Sequence, residues 1–254
     1  MKNFNFKKIK GYIEGYYGKI LSWNDRKRII DKLVQNKMNY FFYCPKEDIH
    51  HRLNWRSLYD NEFLCNFRDL NDYAIENKIK IIVGISPGLD FDYKSFIKGS
   101  YRDLIYLERK IDQFLKIGIN NIAILFDDIP SNLNLKLINE KEGTIHANVI
   151  NKISSRVNIQ FFAVPRVYSD ELNTDDPEYL NDFFCSLKQN IYTFFTGKHI
   201  VSKKFETKLS IIKKSVLNNK IVYWDNYYAN DYCPKKFFIG PCENKHLIDK
   251  SMIN

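Results

Sequence analysis

The sequence contains no long hydrophobic run. None of its 254 residues belongs to a segment long enough to span a bilayer, and residues 1–18 carry neither an uninterrupted apolar stretch nor a small-residue cleavage site. We therefore expect a soluble, cytoplasmic protein. Low-complexity segments, solenoid repeats and linkers are also absent. Because 44% of the residues are hydrophobic, enough for one large core, we expect residues 1–254 to form a single domain.

Cysteine is scarce and irregularly spaced. No two cysteines have the CxxC spacing of a zinc or redox motif, and an odd number of them argues against a disulfide scaffold. Free thiols in a reducing compartment are the simplest interpretation. The residues are Cys44, Cys65, Cys185, Cys233 and Cys242.

Acidic residues are outnumbered by basic ones, which gives a formal charge of +9. Such a charge attracts phosphate at long range and raises the question of nucleic-acid binding. The lysines are dispersed among many Asn, Ile, Tyr and Phe residues, and no recognition-helix, RNA-recognition or zinc-finger signature accompanies them. We therefore expect no nucleic-acid partner.

Seven short apolar runs alternate with amphipathic segments along the chain. The runs are continuous rather than alternating, as strands buried on both faces of a parallel sheet are. They predict strands at Ile9–Ile13, Asn39–Cys44, Ile79–Ile85, Asn121–Phe126, Ile159–Val164, Ile191–Phe195 and Ile221–Trp224. The clearest helices are predicted at 102–117, ended by Gly118, and after Ser22, where Asp25 completes a capping box and Ile29, Ile30, Leu33 and Val34 form the buried face.

Repeated strand-then-helix units indicate an α/β fold, and the closed architecture nearest in size is a (β/α)8 TIM-type barrel. The active face of such a barrel is built by the loops that follow the strands. The loop after the fourth predicted strand carries Asp127 and Asp128 within AILFDDI. An ordinary interpretation is a solvated loop with a helix N-cap. Neighbouring carboxylates in a partly desolvated cleft instead yield a proton donor beside a charged acceptor, which suits cleavage of an acetal.

Because successive side chains of a strand point to opposite faces, both carboxylates can face one cleft only if the strand geometry breaks there. We expect Pro130 and Ser131 to supply that break.

Five ordered motifs together resemble one family. They are GYIEGYYG, YCPKEDIHHRLNWR, ISPGLD, AILFDDI and WDNYYANDYCPKKFFIGP, and the resemblance spans residues 9–241. The chain resembles the catalytic domain of the O-GlcNAcase family, glycoside hydrolase family 84, which removes β-linked N-acetylglucosamine. The resemblance implies a glycoconjugate that bears N-acetylglucosamine as substrate, no cofactor and no metal.

The resemblance also assigns roles to residues. Asp127 orients the 2-acetamido group of the substrate, and Asp128 is the general acid and then the general base of a substrate-assisted, retaining mechanism through an oxazoline. Gly15 and Lys46 are placed at sugar hydroxyls, and Tyr168 and Trp224 are placed at the acetamido pocket. Asn226 and Asp231 are expected to hydrogen-bond the sugar.

Other chemistries are not favoured by the residues. Asp48, His50 and His51 lack the i, i+4 histidine spacing of a helical metal site. Ser86 in ISPGLD lacks the GxSxG elbow of a serine hydrolase. Both segments are interpreted as structural.

The chain departs from the family pattern in three places. Arg166 precedes Tyr168 where we expect a small or polar residue, so an extra cation is expected near the subsite. Phe195 and Lys198 stand where the family has Trp and Pro. The sequence also ends before the eighth strand of the barrel, which predicts an open edge and self-association unless another segment closes it. A catalytically silent carbohydrate-binding relative therefore remains the alternative function.

Overall fold

A computed structural model of the chain describes residues 9–131, 141–202, 205–218 and 220–226. Within these residues, seven strands form one sheet in sequential order. The strands are β1 (Gly11–Glu14), β2 (Tyr40–Tyr43), β3 (Lys80–Ile85), β4 (Asn121–Leu125), β5 (Gln160–Val164), β6 (Tyr192–Phe195) and β7 (Ile221–Tyr223). Every predicted strand is confirmed to within two residues at each end.

At least one α-helix lies between each pair of successive strands. They are α1 (Trp23–Gln35), α2 (Asn61–Glu76), α3 (Tyr93–Ile97), α4 (Arg102–Lys116), α5 (Glu142–Arg156), α6 (Tyr179–Ser186) and α7 (Ser210–Leu217), with a 3-10 turn at Leu172–Thr174. None of these described helices is long and apolar enough to cross a membrane.

The strand pairings place the chain in the α/β class. The pairs β1–β2, β2–β3, β3–β4, β5–β6 and β6–β7 are all parallel. A seven-stranded parallel sheet with sequential strand order and intervening helices, as in the described residues, is consistent with part of a (β/α)8 barrel. The predicted barrel class is thus supported as far as β7, and residues 227–254 lie outside the described part of the chain.

The described residues divide into two compact units, one within 9–125 and 152–161 and one within 126–151 and 162–226. In the first, Phe67 lies between Tyr43 and Phe114 in edge-to-face contacts, with ring centroids 5.1 and 5.6 Å away. In the second, Phe162 stacks on Phe194 at 5.9 Å. Aromatic packing therefore supplies much of the interior of each unit.

Helix α1 shows how far periodicity predicts burial. Ser22 is the N-cap, as predicted, and its hydroxyl accepts a hydrogen bond from Asp25 N at 3.1 Å. The predicted buried face is correct at Ile30 and Leu33 but wrong at Val34, which is 42% exposed. Arg26 is buried instead, because the helix turns that position toward a partner on β1.

The partner of Arg26 is Glu14, the last residue of β1. The guanidinium donates from Nε to Oε2 at 2.8 Å and from Nη2 to Oε1 at 2.9 Å, and both side chains are at most 3% exposed. The guanidinium also lies over the rings of Trp23 and Tyr43. Burial raises the pKa of Glu14 despite the adjacent cation, so desolvation remains a real cost of this pair.

We expect Arg26→Met to destabilise the protein by about 3–5 kcal/mol, because it leaves the Glu14 carboxylate buried without its counter-ion. The matched control is Arg28→Met on the same helix, whose ion pair with Asp25 is solvent-exposed; it should cost less than about 1 kcal/mol. Denaturant unfolding of the two variants measures both values. Equal losses would show that the buried pair has no special energetic role.

Candidate active site

The adjacent aspartates follow β4 in a tight turn of the second unit. Phe126 donates its N–H to Val164 O on β5 at 2.8 Å, and Asp127 and Asp128 form the turn that comes next. Asp127 is only 5% exposed, whereas Asp128 is exposed. The turn therefore presents one buried and one solvent-facing carboxylate next to each other in sequence.

The backbone of Asp128 supplies the break in strand geometry. Its φ of +54° lies in the left-handed region, which aspartate tolerates better than most residues. We predicted that Pro130 and Ser131 would break the strand. That position is wrong by two residues, because the left-handed turn is already complete at Asp128.

Tyr168, in the loop after β5, contacts the exposed aspartate. Its hydroxyl donates to Asp128 Oδ1 at 3.0 Å. The Tyr168 carbonyl in turn accepts from Thr196 N at 2.8 Å and from Thr196 Oγ1 at 3.1 Å. Thr196 directly follows β6, is buried, and is not among the predicted site residues. Its two hydrogen bonds hold the Tyr168 backbone in place.

Trp224 and Asn226 follow β7 and contact each other. The indole Nε1 of Trp224 donates to Asn226 Oδ1 at 2.7 Å, and the backbone N–H of Trp224 donates to Phe195 O at 3.0 Å. Asn226 Nδ2 donates to Ile200 O at 3.2 Å. The indole is 9% exposed and packs edge-to-face on Phe194. These contacts fix both predicted sugar-binding side chains at the same end of the sheet as Asp128 and Tyr168 within the second unit.

The loops after β5 and β6 are tied together by Asp170. Its N–H donates to Gly197 O at 2.9 Å, and its carboxylate accepts from Thr207 Oγ1 and from Lys208 N. Gly197 has a backbone φ of +95°, a conformation that residues other than glycine rarely adopt. This part of the second unit is therefore held by side-chain bonds between loops as well as by the strands.

Arg166 does not supply the extra cation that we expected near the subsite. Its guanidinium donates to the carboxylates of Glu142, at 2.7 Å from Nε, and of Asp176. It also lies over the ring of Tyr179, 4.8 Å from the centroid. The charge is thus neutralised within the second unit, and the side chain is only 12% exposed.

The first unit carries the other two predicted sugar-binding residues. Gly15 follows β1 directly, and Lys46 lies just beyond β2 and is 6% exposed. The segments on either side of Gly15 contact the β2 loop, since Cys44 N donates to Glu14 O at 3.0 Å and Lys46 N to Tyr16 O at 3.4 Å. The structure therefore places Gly15 and Lys46 on neighbouring strand ends. Asp231 lies outside the described residues.

The segment after β2 that contains Asp48, His50 and His51 forms a network of hydrogen bonds with its neighbours. Asp48 Oδ2 accepts from the hydroxyls of Tyr43 and Tyr59, both at 2.7 Å. Asp48 Oδ1 accepts from the N–H groups of His50 and His51. In the described ranges, no three His, Cys, Asp or Glu side chains come together in a way that could hold a metal ion.

His51 is the buried centre of this network. It is 0% exposed, its Nδ1 lies 2.9 Å from Gly84 O, and its carbonyl accepts from Ser86 N at 2.9 Å. Burial, followed by the charge of Lys46, lowers the pKa of His51 to about 4. The imidazole is therefore neutral at physiological pH, with Nδ1 as the donor to the Gly84 carbonyl.

The chemistry available to the second unit is proton transfer at a carboxylate. Asp128 is solvent-exposed and accepts a hydrogen bond from the Tyr168 hydroxyl. Asp127 adds a buried carboxylate one residue earlier. Such a pair can give and take a proton at one atom while a second oxygen orients a polar group of a ligand.

Comparison with known proteins gives one consistent family. A sequence model of a family described as beta-N-acetylglucosaminidase matches residues 10–252. Protein O-GlcNAcase of Mus musculus is 30% identical over 242 residues, which are 92% of this chain and 26% of that protein. Protein O-GlcNAcase of Rattus norvegicus matches with the same identity and coverage. The chain thus spans about a quarter of the length of these curated relatives.

Solved structures give the same result for the fold. CpGH84B superposes with a TM-score of 0.79 at 29% identity, over 92% of this chain and 41% of that one. A mutant of the Thermobaculum terrenum O-GlcNAc hydrolase superposes with a TM-score of 0.75 at 30% identity, over 89% of this chain and 49% of that one.

The buried neutral imidazole of His51 predicts acid sensitivity. Because folding lowers its pKa from 6.5 to about 4, the native state binds fewer protons than the unfolded state between these values. The free energy of unfolding should therefore fall as the pH is lowered through this window, by up to about 3 kcal/mol from this residue.

His51→Asn keeps a nitrogen donor at the Nδ1 position for Gly84 O and removes the titration. Denaturant unfolding at pH 4, 5, 6 and 7 should give a flatter stability profile for this variant than for the wild type. Parallel profiles would contradict the assignment.

Proposed function

The chain belongs to the beta-N-acetylglucosaminidase family, and we propose that it removes terminal β-linked N-acetylglucosamine from glycoconjugates. The observation that carries this proposal is the left-handed turn after β4, where a buried Asp127 and an exposed Asp128 succeed each other and Tyr168 bonds the exposed one. The names of the relatives, O-GlcNAcase and O-GlcNAc hydrolase, are in accord with this substrate class.

The proposed reaction uses the substrate's own acetamido group as the nucleophile. Asp127 accepts a hydrogen bond from the acetamido N–H and orients its carbonyl oxygen toward the anomeric carbon. That oxygen bonds to the anomeric carbon as the glycosidic C–O bond breaks and Asp128 protonates the departing oxygen, which gives an oxazoline protonated on nitrogen and a free alcohol. Asp128, now a carboxylate, removes a proton from water, which attacks the anomeric carbon and reopens the ring with retained configuration.

The difference in burial between the two aspartates is consistent with their different proposed roles. Asp127 is 5% exposed and suits a fixed hydrogen-bond acceptor, whereas the exposed Asp128 can exchange protons with water between turnovers. Tyr168 supports Asp128 by donating a hydrogen bond to its Oδ1. Trp224 and Asn226 supply an aromatic wall and an amide of the kinds that bind an acetyl group and sugar hydroxyls.

We expect Asp128→Asn to lower kcat/KM by about a hundredfold or more on substrates with poor leaving groups, because general-acid catalysis is lost. An activated aryl N-acetylglucosaminide should retain far more activity, since its phenol departs without protonation. Asp127→Asn should depress both substrate classes, because the acetamido nucleophile is needed whatever leaves.

Asp112→Asn, at an exposed position of α4, is the matched control and should be neutral. Equal losses on both substrates for Asp128→Asn would remove Asp128 from the acid role. If the wild type hydrolyses neither substrate but binds N-acetylglucosamine, the protein is a silent carbohydrate-binding relative instead.

Fluorination of the acetyl group tests the nucleophile. Successive replacement of its hydrogens by fluorine withdraws electrons from the carbonyl oxygen, so kcat should fall progressively from acetyl to trifluoroacetyl. Measuring kcat and KM separately on aryl glycosides keeps this effect apart from changes in binding. A kcat that does not depend on fluorine number would point to an enzyme nucleophile or to direct attack by water.

A further inference from the structure

A buried histidine packs behind the aspartate turn. His146, on α5, is 0% exposed, and its ring lies flat on Phe126 with centroids 4.1 Å apart and planes 2° from parallel. Phe126 immediately precedes Asp127, and its N–H is held by Val164 O at 2.8 Å. The base of the turn is therefore fixed by a strand on one side and by the His146 ring through Phe126.

The hydroxyl of Tyr179, on α6, connects this histidine to the loop that carries Tyr168. The hydroxyl oxygen lies 2.8 Å from His146 Nδ1 and accepts the N–H of Arg166 at 3.0 Å. Arg166 is two residues before Tyr168, whose hydroxyl donates to Asp128 Oδ1. The Tyr179 hydroxyl is thus hydrogen-bonded both to His146 and to the backbone of the loop that carries Tyr168.

We propose that Tyr179, acting with His146, is a positioning residue that sets the orientation of the Asp127–Asp128 turn relative to Tyr168. The inference rests on the proposed function, because its kinetic consequence is a misdirected Asp128 carboxyl group. Neither side chain reaches a ligand, since Tyr179 is 2% exposed and His146 is fully buried, so both act through Phe126 and Arg166.

The protonation states suit a fixed connection. Burial, followed by the Arg166 charge, holds the pKa of His146 well below its usual value, and burial raises the pKa of Tyr179. The imidazole is therefore neutral and the phenol keeps its hydrogen. The backbone N–H of Arg166 donates to the phenol oxygen of Tyr179. The phenol hydrogen therefore needs an acceptor, and His146 Nδ1 is within hydrogen-bond distance, so we assign Tyr179 as the donor to Nδ1.

Tyr179 is closely packed by its neighbours. The guanidinium of Arg166 covers its ring and is itself held by Glu142 and Asp176. Helices α5 and α6 approach closely at Gly143, where an added Cβ would lie 2.2 Å from Tyr179 O. A tyrosine confined on two sides can hold its partners to a narrow geometry.

The test is Tyr179→Phe, which removes the hydroxyl and keeps the ring. If the hydroxyl positions Asp128, kcat/KM on a poor leaving group should fall about tenfold or more, while an activated aryl glycoside should lose less than about threefold. Tyr59→Phe is the matched control, because its hydroxyl is similarly buried and hydrogen-bonded, to Asp48. It should show no such selectivity even if it loses as much stability.

A second pair of variants separates hydrogen bond from packing. His146→Asn keeps a polar group where Nδ1 stands, and His146→Leu does not, so the Asn variant should retain more activity on the poor leaving group. This comparison still decides the matter if Tyr179→Phe fails to fold. Equal losses in the two His146 variants, or an unselective loss in Tyr179→Phe, would overturn the proposal.

Amide hydrogen exchange distinguishes this inference from the proposed function. In Tyr179→Phe, exchange should accelerate in peptides covering residues 124–128 and 165–168, and Tyr59→Phe should leave both unchanged. If the wild type cleaves neither substrate, the proposed function fails, and the exchange data alone decide whether Tyr179 positions the turn. Unchanged exchange in both peptides would refute it.

Discussion

The alternation of side chains along a β-strand is the constraint on which the candidate site depends. Two successive residues of a strand point to opposite faces, so two neighbouring carboxylates can serve one ligand only where the strand has ended. Asp128 meets this condition by adopting a left-handed backbone one residue after the buried Asp127. A left-handed aspartate is uncommon and persists when its surroundings hold it. The bond from Tyr168 and the stacking of His146 on Phe126 are such surroundings.

Buried polar groups hold the strand ends in both units, and in each they are paired with specific partners. In the first unit, the Glu14–Arg26 pair joins β1 to α1, and Asp48 collects two tyrosine hydroxyls and two backbone N–H groups. In the second unit, Arg166 is held by two carboxylates and Tyr168 by Thr196. Charged and polar side chains are costly to bury unless they are satisfied in this way, so their pairing fixes the loops in which they lie.

Most of the fold was predictable because parallel strands buried on both faces leave continuous apolar runs in the sequence. All seven described strands and the caps of α1 and α4 followed from such local signals. The positions of the two aspartates at the end of β4 followed as well. The exact break did not, because a proline is a visible signal and a left-handed aspartate is not.

The sequence by itself determined the α/β class, the strand order in outline, the family and the residues that its motifs contain. Only the tertiary structure decided which polar groups meet across distant segments. It buried Arg26 and exposed Val34, paired Arg166 with Glu142 and Asp176, and placed His146 behind Phe126. The partners in these contacts lie 10 to 24 positions apart in the sequence, and no local periodicity encodes them. Local sequence sets backbone conformation and burial preference, whereas a partner for a buried charge or ring is chosen by the packing of whole elements.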